Sequence, residues 1–388
     1  MNWEVNGILF SLIRAEIFGE YIEEDVTDQL TPDLLIKLYE LSKAHDMVHI
    51  VASALNKLGI LGKDELSQKF SQQQMIAVFR CERISYELDQ LVETLENAGI
   101  PFIPLKGSVI RPLYPEAWMR TSCDIDVLVH ESDLEAASSV LVEKLGYRAS
   151  VKSSHDLQMY SASGVHVELH YDLVEDDVAN EASSILANVW DYTELKQGAS
   201  YQSVMSNEMF YFYHIAHMAK HFETGGCGIK PFLDMYILDR NIDLNQKKLE
   251  ELLSKGRLLT FAQYARQLME IWFCDGEYTD LMLDMRNYVL SGGVYGTLSN
   301  KISIQQGKRG GKLRYVLSRI FSPYDVIKYN YPVLKKHKWL LPVMQVRRWI
   351  KLIFKGGIER SVNELKTNND VSKDKAAQMQ SFMEKLGL

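Results

Sequence analysis

Two aspartates on one apolar segment, Asp124-Ile125-Asp126-Val127-Leu128-Val129, constrain this chain more than any other feature. Side chains two apart on a strand share a face, so Asp124 and Asp126 project together while Ile125, Val127 and Val129 turn to a core. Carboxylates held that close repel unless something cationic lies between them. A divalent metal supplies that charge, and Mg²⁺ is commonly held by one or two carboxylates plus the phosphates of a substrate. Upstream, the apolar run Ile100-Pro101-Phe102-Ile103-Pro104-Leu105 enters Lys106-Gly107-Ser108, and Asp124 follows sixteen positions after Ser108. A Gly-Ser turn at a helix start offers backbone N–H groups to a phosphate. The two pieces together point to metal-dependent chemistry on a nucleoside triphosphate.

A third carboxylate is available. Val165-His166-Val167-Glu168-Leu169-His170 alternates apolar and polar strictly, a strand signal whose polar face carries His166, Glu168 and His170. The set resembles the nucleotidyltransferase superfamily of the DNA polymerase β type. More narrowly, Leu105 to Ser108, Leu113-Tyr114-Pro115, Arg120 to Asp126 and Val167 to His170 resemble the bacterial uncharacterised nucleotidyltransferase family. The likeness covers about residues 100 to 173, with the helical remainder similar only in general character.

That resemblance implies transfer of a nucleoside monophosphate from an NTP to a hydroxyl or phosphate of a small-molecule, glycan or peptide acceptor. It also implies two Mg²⁺ ions, with Mn²⁺ as an alternative, held by Asp124, Asp126 and Glu168, and Glu168 able to take the acceptor's proton. Gly107 and Ser108 would hold the β and γ phosphates, with Lys106 or Arg120 as counter-charge. Lys106 precedes the Gly-Ser pair, so an outward orientation is its alternative. His170 is read as an orienting partner of the acids rather than a catalyst. A His166-Glu168-His170 zinc site is the competing arrangement, and it leaves the upstream motif without a role. Two other functions remain in view. A non-catalytic nucleotide-binding scaffold is opposed by the presence of all three carboxylates, and toxin-like modification of tRNA or protein draws only on the basic segment described below.

At 388 residues the chain can hold two or three units with separate cores. A net charge of −8 argues against wholesale nucleic-acid binding. Cys81, Cys123, Cys227 and Cys274 form no CxxC pair, which fits reduced thiols better than a disulfide framework or a zinc knuckle. Cys123 is read as a small residue on the opposite strand face to Asp124 rather than a nucleophile. The N-terminal sequence does not read as a signal peptide, and no window reaches eighteen uncharged apolar residues. A cytoplasmic location is the expectation.

The expected fold class is α+β, a small mixed-sheet core flanked by N-terminal and C-terminal helical regions. Residues 1–98 read as helices, with Thr31-Pro32-Asp33 opening one and Gly99 closing the helix that starts near Asp64. The catalytic core is placed at 99–175, with strands near 100–105, 124–129, 147–151, 157–162 and 165–173. Between them lie a helix over 107–113 and another over 132–145, the latter opened by the capping-box sequence Ser132-Asp133-Leu134-Glu135. No strand is expected elsewhere. A helical domain closing the cleft is placed at 176–300 and a basic helical region at 301–388.

The region after the core carries His214, His217, Lys220 and His221, then Lys230 and Asp234. Positions 214, 217 and 221 share one helix face, and three functional readings compete with simple packing: a metal site, a nucleotide contact and an acceptor contact. In the nucleotide reading Lys220 meets phosphate while His217 and His221 support the acids. Gly225-Gly226-Cys227-Gly228 reads as a loop between helices, weak as a phosphate signal. From Lys308 to Lys355 thirteen Lys or Arg face a single acid, Asp325, with aromatics interleaved. That stretch is either a surface for an anionic partner or a subdomain docked by its apolar sides onto an acidic body.

Overall fold

The computed structural model describes residues 3–22, 24–174, 180–274, 276–324, 327–328, 331, 333–354 and 357–388. Five helices precede the sheet: α1 (Trp3–Phe18), α2 (Glu24–Asp28), α3 (Pro32–Ala44), α4 (Val48–Lys57) and α5 (Glu65–Ala98). Their ends follow the expected caps. Thr31 Oγ1 accepts from the Leu34 amide with Pro32 in the first turn, and Asp64 Oδ1 accepts from the amides of Leu66 and Ser67, each at 3.0 Å. Gly99 closes α5 at φ +70°, the left-handed conformation that ends a helix at little cost only for glycine.

The sheet then assembles from β1 (Phe102–Pro104), β2 (Asp124–Val129), β3 (Arg148–Lys152), β4 (Asp156–Tyr160) and β5 (His166–His170) in the spatial order β1-β2-β5-β4-β3. Only β2 and β5 run parallel, so the sheet is mixed and the fold is α+β with flanking helical regions. Between β1 and β2 lies the short α6 (Gly107–Ile110), which tightens into a 3₁₀ turn over Arg111–Leu113 rather than continuing as one helix. The helix α7 (Leu134–Leu145) links β2 to β3. Its expected capping box does not form. A 3₁₀ turn over Glu131–Asp133 comes first, in which the Asp133 amide donates to His130 O at 2.9 Å, so Ser132 never occupies the cap.

After the sheet come α8 (Glu181–Leu186), a hairpin of β6 (Thr193–Leu195) and β7 (Ser203–Met205), then α9 (Asn207–Glu223), α10 (Lys230–Asn241), α11 (Gln246–Lys255), α12 (Leu259–Phe273), α13 (Asp280–Gly292), α14 (Leu298–Arg309) and α15 (Lys312–Ile320). The hairpin corrects the expectation of no further strand. Each arm has three residues, too few for alternation to show, and the pair is anchored by the Phe102 amide donating to Tyr201 O at 3.2 Å.

Ile125, Val127, Val129, Val167 and Leu169 pack one sheet face on Ile84, Leu91 and Leu95 of α5 and on Leu134, Ala137 and Leu141 of α7. The opposite face carries Ile103, Leu105 and Leu128 into a larger core shared by α1, α3, α4 and α9 to α13. Helices from before and after the sheet therefore build one continuous apolar body on the face that also bears the aspartates. No helix among the described residues is long and apolar enough to cross a membrane.

Candidate functional site

Register brings the acids together. Parallel pairing of β2 with β5 sets Asp124 opposite His166, Asp126 opposite Glu168 and Leu128 opposite His170. One ligand atom each from Asp124, His166 and Glu168 lie within 4.8 Å of one another, and the same holds for Asp126, Glu168 and His170, so Glu168 belongs to both groups. Asp126 is only 3% exposed. Its Oδ1 takes Lys106 Nζ at 2.8 Å and His170 Nε2 at 2.9 Å, and His170 Nε2 also lies 3.3 Å from Glu168 Oε2. Burial pushes the Asp126 carboxyl up, but Lys106 and the His170 contact outweigh it and hold the group far below its ordinary value. Asp124, half-buried, moves upward because burial and the Asp126 charge exceed the pull of Lys106. His170 is lowered by burial and raised more strongly by its bonds to Asp126 and Glu168, ending at about 8.

Lys106 reaches this position through its backbone. It stands at φ +45°, ψ −118°, sparse territory for a residue with a side chain. The Leu105 amide beside it donates to Asp126 O at 3.0 Å. The turn therefore aims the ammonium inward, over Asp126, and the outward alternative is not realised.

A family model described as uncharacterised nucleotidyltransferase matches residues 35–274, well over half of the chain. The chain belongs to that family. No curated protein and no solved structure matches it.

Across the acids from this nucleotidyltransferase sheet stands α9. A small cavity is lined by Lys106, His155 and His170 from the sheet side and by Tyr213, His217 and Lys220 from α9, so His217 and Lys220 face the same space as the two side chains that bond Asp126. His217 Nε2 lies 3.2 Å from His221 Nε2, and burial and the nearby Lys106 charge keep His217 well below its ordinary value, hence neutral. His214 is different. Its Nε2 meets Pro231 O at 2.9 Å, inside the α9–α10 contact, and burial keeps it neutral. The histidine face thus divides between packing and cleft.

Two sequence assignments go elsewhere. Arg120 makes a paired contact to Asp234, Nε to Oδ1 and Nη2 to Oδ2 at 2.9 Å each, and Tyr114 joins Asp234 Oδ1 at 2.8 Å. Its guanidinium locks the segment before β2 to α10 rather than facing phosphate, and Asp234 is no partner for the cleft-facing histidines. The Ser108 amide donates to Leu105 O at 3.0 Å, and the residue borders a different cavity, so Gly107 rather than Ser108 is the part of the turn adjoining Lys106. That second cavity has a volume of about 1060 Å³, and none of the three carboxylates lines it or the smaller one. The smaller cavity is bordered instead by Lys106 and His170, the two side chains bonded to Asp126.

Lys230, part of the expected cluster, donates to Asp46 Oδ2 at 2.6 Å and to Thr121 O and Oγ1 at 3.1 Å. With Arg111 Nη2 on Ser122 Oγ at 2.5 Å and His49 Nε2 on Met119 O at 2.9 Å, it fixes the strand entry from the helical side. The glycine loop holds no phosphate cradle: it packs on a second glycine turn, where the Thr297 amide donates to Gly225 O at 3.2 Å. Cys123 is exposed just before β2, with Arg80 Nη1 at 3.7 Å from its sulfur. His155, whose ring stacks on His170 at 5.9 Å, was not legible as a site residue, since only its place in a hairpin brings it there.

Proposed function

We propose that this chain transfers a nucleoside monophosphate from an NTP to a hydroxyl or phosphate of a small-molecule, glycan or peptide acceptor, in a reaction dependent on Mg²⁺ or Mn²⁺. The observation that carries the reading is the pair of three-ligand groups meeting at Glu168, with Lys106 at their edge. The donor set is oxygen and imidazole without thiolate, which suits Mg²⁺ or Mn²⁺ on its carboxylates. His166 Nε2 and His170 Nδ1 are buried and have no hydrogen-bond partner among the described residues, so these rings have capacity left for a further contact. Asp124, Asp126 and Glu168 would hold the cations, which when bound supply Lewis-acid charge to the phosphoryl group.

The protein's own groups do the rest. Phosphoryl-type transfer depends mainly on position and charge neutralisation. Lys106 and Lys220 flank one cleft, placed to neutralise a triphosphate from both walls. Gly107 carries no side chain that would keep a triphosphate from its backbone at the turn. Glu168, with a quarter of its side chain exposed to water, can accept the proton of an acceptor hydroxyl. His170 holds Asp126 and Glu168 in one orientation through a single nitrogen.

The test is binding of each NTP with Mg²⁺, by calorimetry, and pyrophosphate release with pooled hydroxyl compounds. Glu168→Gln should retain the fold and lose both Mn²⁺ binding and turnover. Parent-like Mn²⁺ affinity together with parent-like pyrophosphate release in that variant would remove the site from these residues.

A further inference from the structure

The stretch Lys308 to Lys355 holds thirteen basic residues and one acid. Docking of its apolar sides onto the body would hide them, and Tyr315, Ile327 and Leu334 are buried, yet two further apolar rows face outward. On α15, Leu313, Leu317 and Ile320 lie at i, i+4 and i+7 and all are exposed, Leu313 at 72%, while Tyr315 on the other side is buried. On the helix Leu341–Phe354, Val343, Val346 and Ile350 lie at i, i+3 and i+7 and are exposed, Val343 at 54%, while Gln345 is buried with its amide on Ser322 O at 2.6 Å. The two helices are joined to each other beside these rows. Trp349 Nε1 donates to Ile320 O at 2.8 Å, Arg348 donates to Arg319 O at 2.9 Å, and the Trp349 and Phe321 rings meet at 5.6 Å. Trp339, just before the second helix, is 74% exposed, and Lys338, Arg347 and Lys351 are exposed as well.

An apolar surface of this extent on a folded chain marks a contact, because leaving it in water forgoes the free energy of burial. Charge narrows the occupant. A second copy would bring the same excess of thirteen bases over one acid and be repelled. A nucleic acid would match the charge but leave six aliphatic side chains without a partner. An anionic bilayer accepts both, since acyl chains take the apolar row and lipid phosphates take the Lys and Arg. We infer that α15 and the helix Leu341–Phe354 dock the protein, as a peripheral attachment, on an anionic phospholipid surface. The inference is independent of the nucleotidyl-transfer reading.

Full-length protein is sedimented with phosphatidylcholine vesicles, with or without about 30% phosphatidylglycerol, a content that makes the surface strongly anionic. Binding is expected only with phosphatidylglycerol, weakening about tenfold or more on raising salt, because surface potential is screened. Leu313→Ser/Leu317→Ser/Ile350→Ser and, separately, Lys338→Gln/Arg347→Gln/Lys351→Gln should each lower binding about tenfold, with unchanged circular dichroism because all six groups are solvent-exposed. If one variant misfolds, the other carries the test. No binding to anionic vesicles at low salt would overturn the inference. So would full binding by the serine variant, preference for an oligonucleotide over vesicles, or a dimer whose formation covers this face.

Discussion

Lys106 Nζ lies 2.8 Å from Asp126 Oδ1, the ammonium standing where a cation would otherwise balance the buried carboxylate. The pair raises Lys106 well above its ordinary value, against the effect of burial, so the charge is permanent at working pH. Such a lysine does two opposite things. It competes with a divalent ion for Asp126, and it attracts triphosphate. Lys106→Gln should therefore tighten Mn²⁺ binding and weaken NTP binding, each by about tenfold, roughly 1.4 kcal/mol in opposite directions. Metal titration without nucleotide and calorimetry with it separate the two. Loss of both affinities would mean that Lys106 only holds the fold.

Asp126 is the wrong residue for a clean catalytic knockout. Buried and bonded to both Lys106 and His170, it cannot lose its charge without leaving those partners uncompensated. Asp126→Asn should lower stability by about 3 kcal/mol as well as abolishing turnover. Glu168 shares the site from a more exposed position, so Glu168→Gln should reduce turnover at least about 10²-fold with little change in melting temperature. Equal destabilisation by the two changes would show that Glu168 serves the sheet rather than the chemistry.

Gly107 offers a test of the phosphate turn with little structural confusion. Its backbone is not left-handed, and an added Cβ would meet Ser122 Cβ and Oγ at 3.5 Å and Arg111 Nη2 at 3.6 Å, ordinary contact distances. Gly107→Ala should therefore melt like the parent yet bind NTP about tenfold more weakly, because the methyl takes room beside the turn that the triphosphate would use. Unchanged NTP affinity would move the phosphates away from this turn.

What could be read beforehand depended on how local the cause is. Alternation along 124–129 and 165–170 is a property of consecutive residues, so the meeting of Asp124, Asp126 and Glu168 on one face followed from strand geometry. Asp64 and Gly99 likewise mark the ends of α5 through bonds within three or four residues. Lys106 was ambiguous because its direction depends on a single strained φ that no pattern reveals. Arg120 was misassigned because its partner, Asp234, lies 114 positions away, and a free arginine before a D-x-D strand reads as a phosphate ligand. The hairpin of β6 and β7 is too short to alternate. In 308–355 composition announced the charge, while only tertiary placement shows the apolar rows facing out.

His49 sets an acid limit on the fold. It is buried, with Nε2–H donating to Met119 O at 2.9 Å, and burial outweighs that bond to lower it from 6.5 to about 4. Between those values the unfolded chain binds a proton that the folded chain does not. Stability must then rise with pH across the window, being fully present above 6.5 and lost as pH falls toward 4. The contribution amounts to about 3 kcal/mol for the full shift. His45 and His214, also lowered by burial, act in the same sense. Denaturant midpoints measured from pH 7 to pH 4 should fall steeply. His49→Gln, which keeps an N–H for Met119 O but takes up no proton, should flatten that fall while costing little at pH 7. An identical slope in the variant would place the acid sensitivity in the other buried histidines.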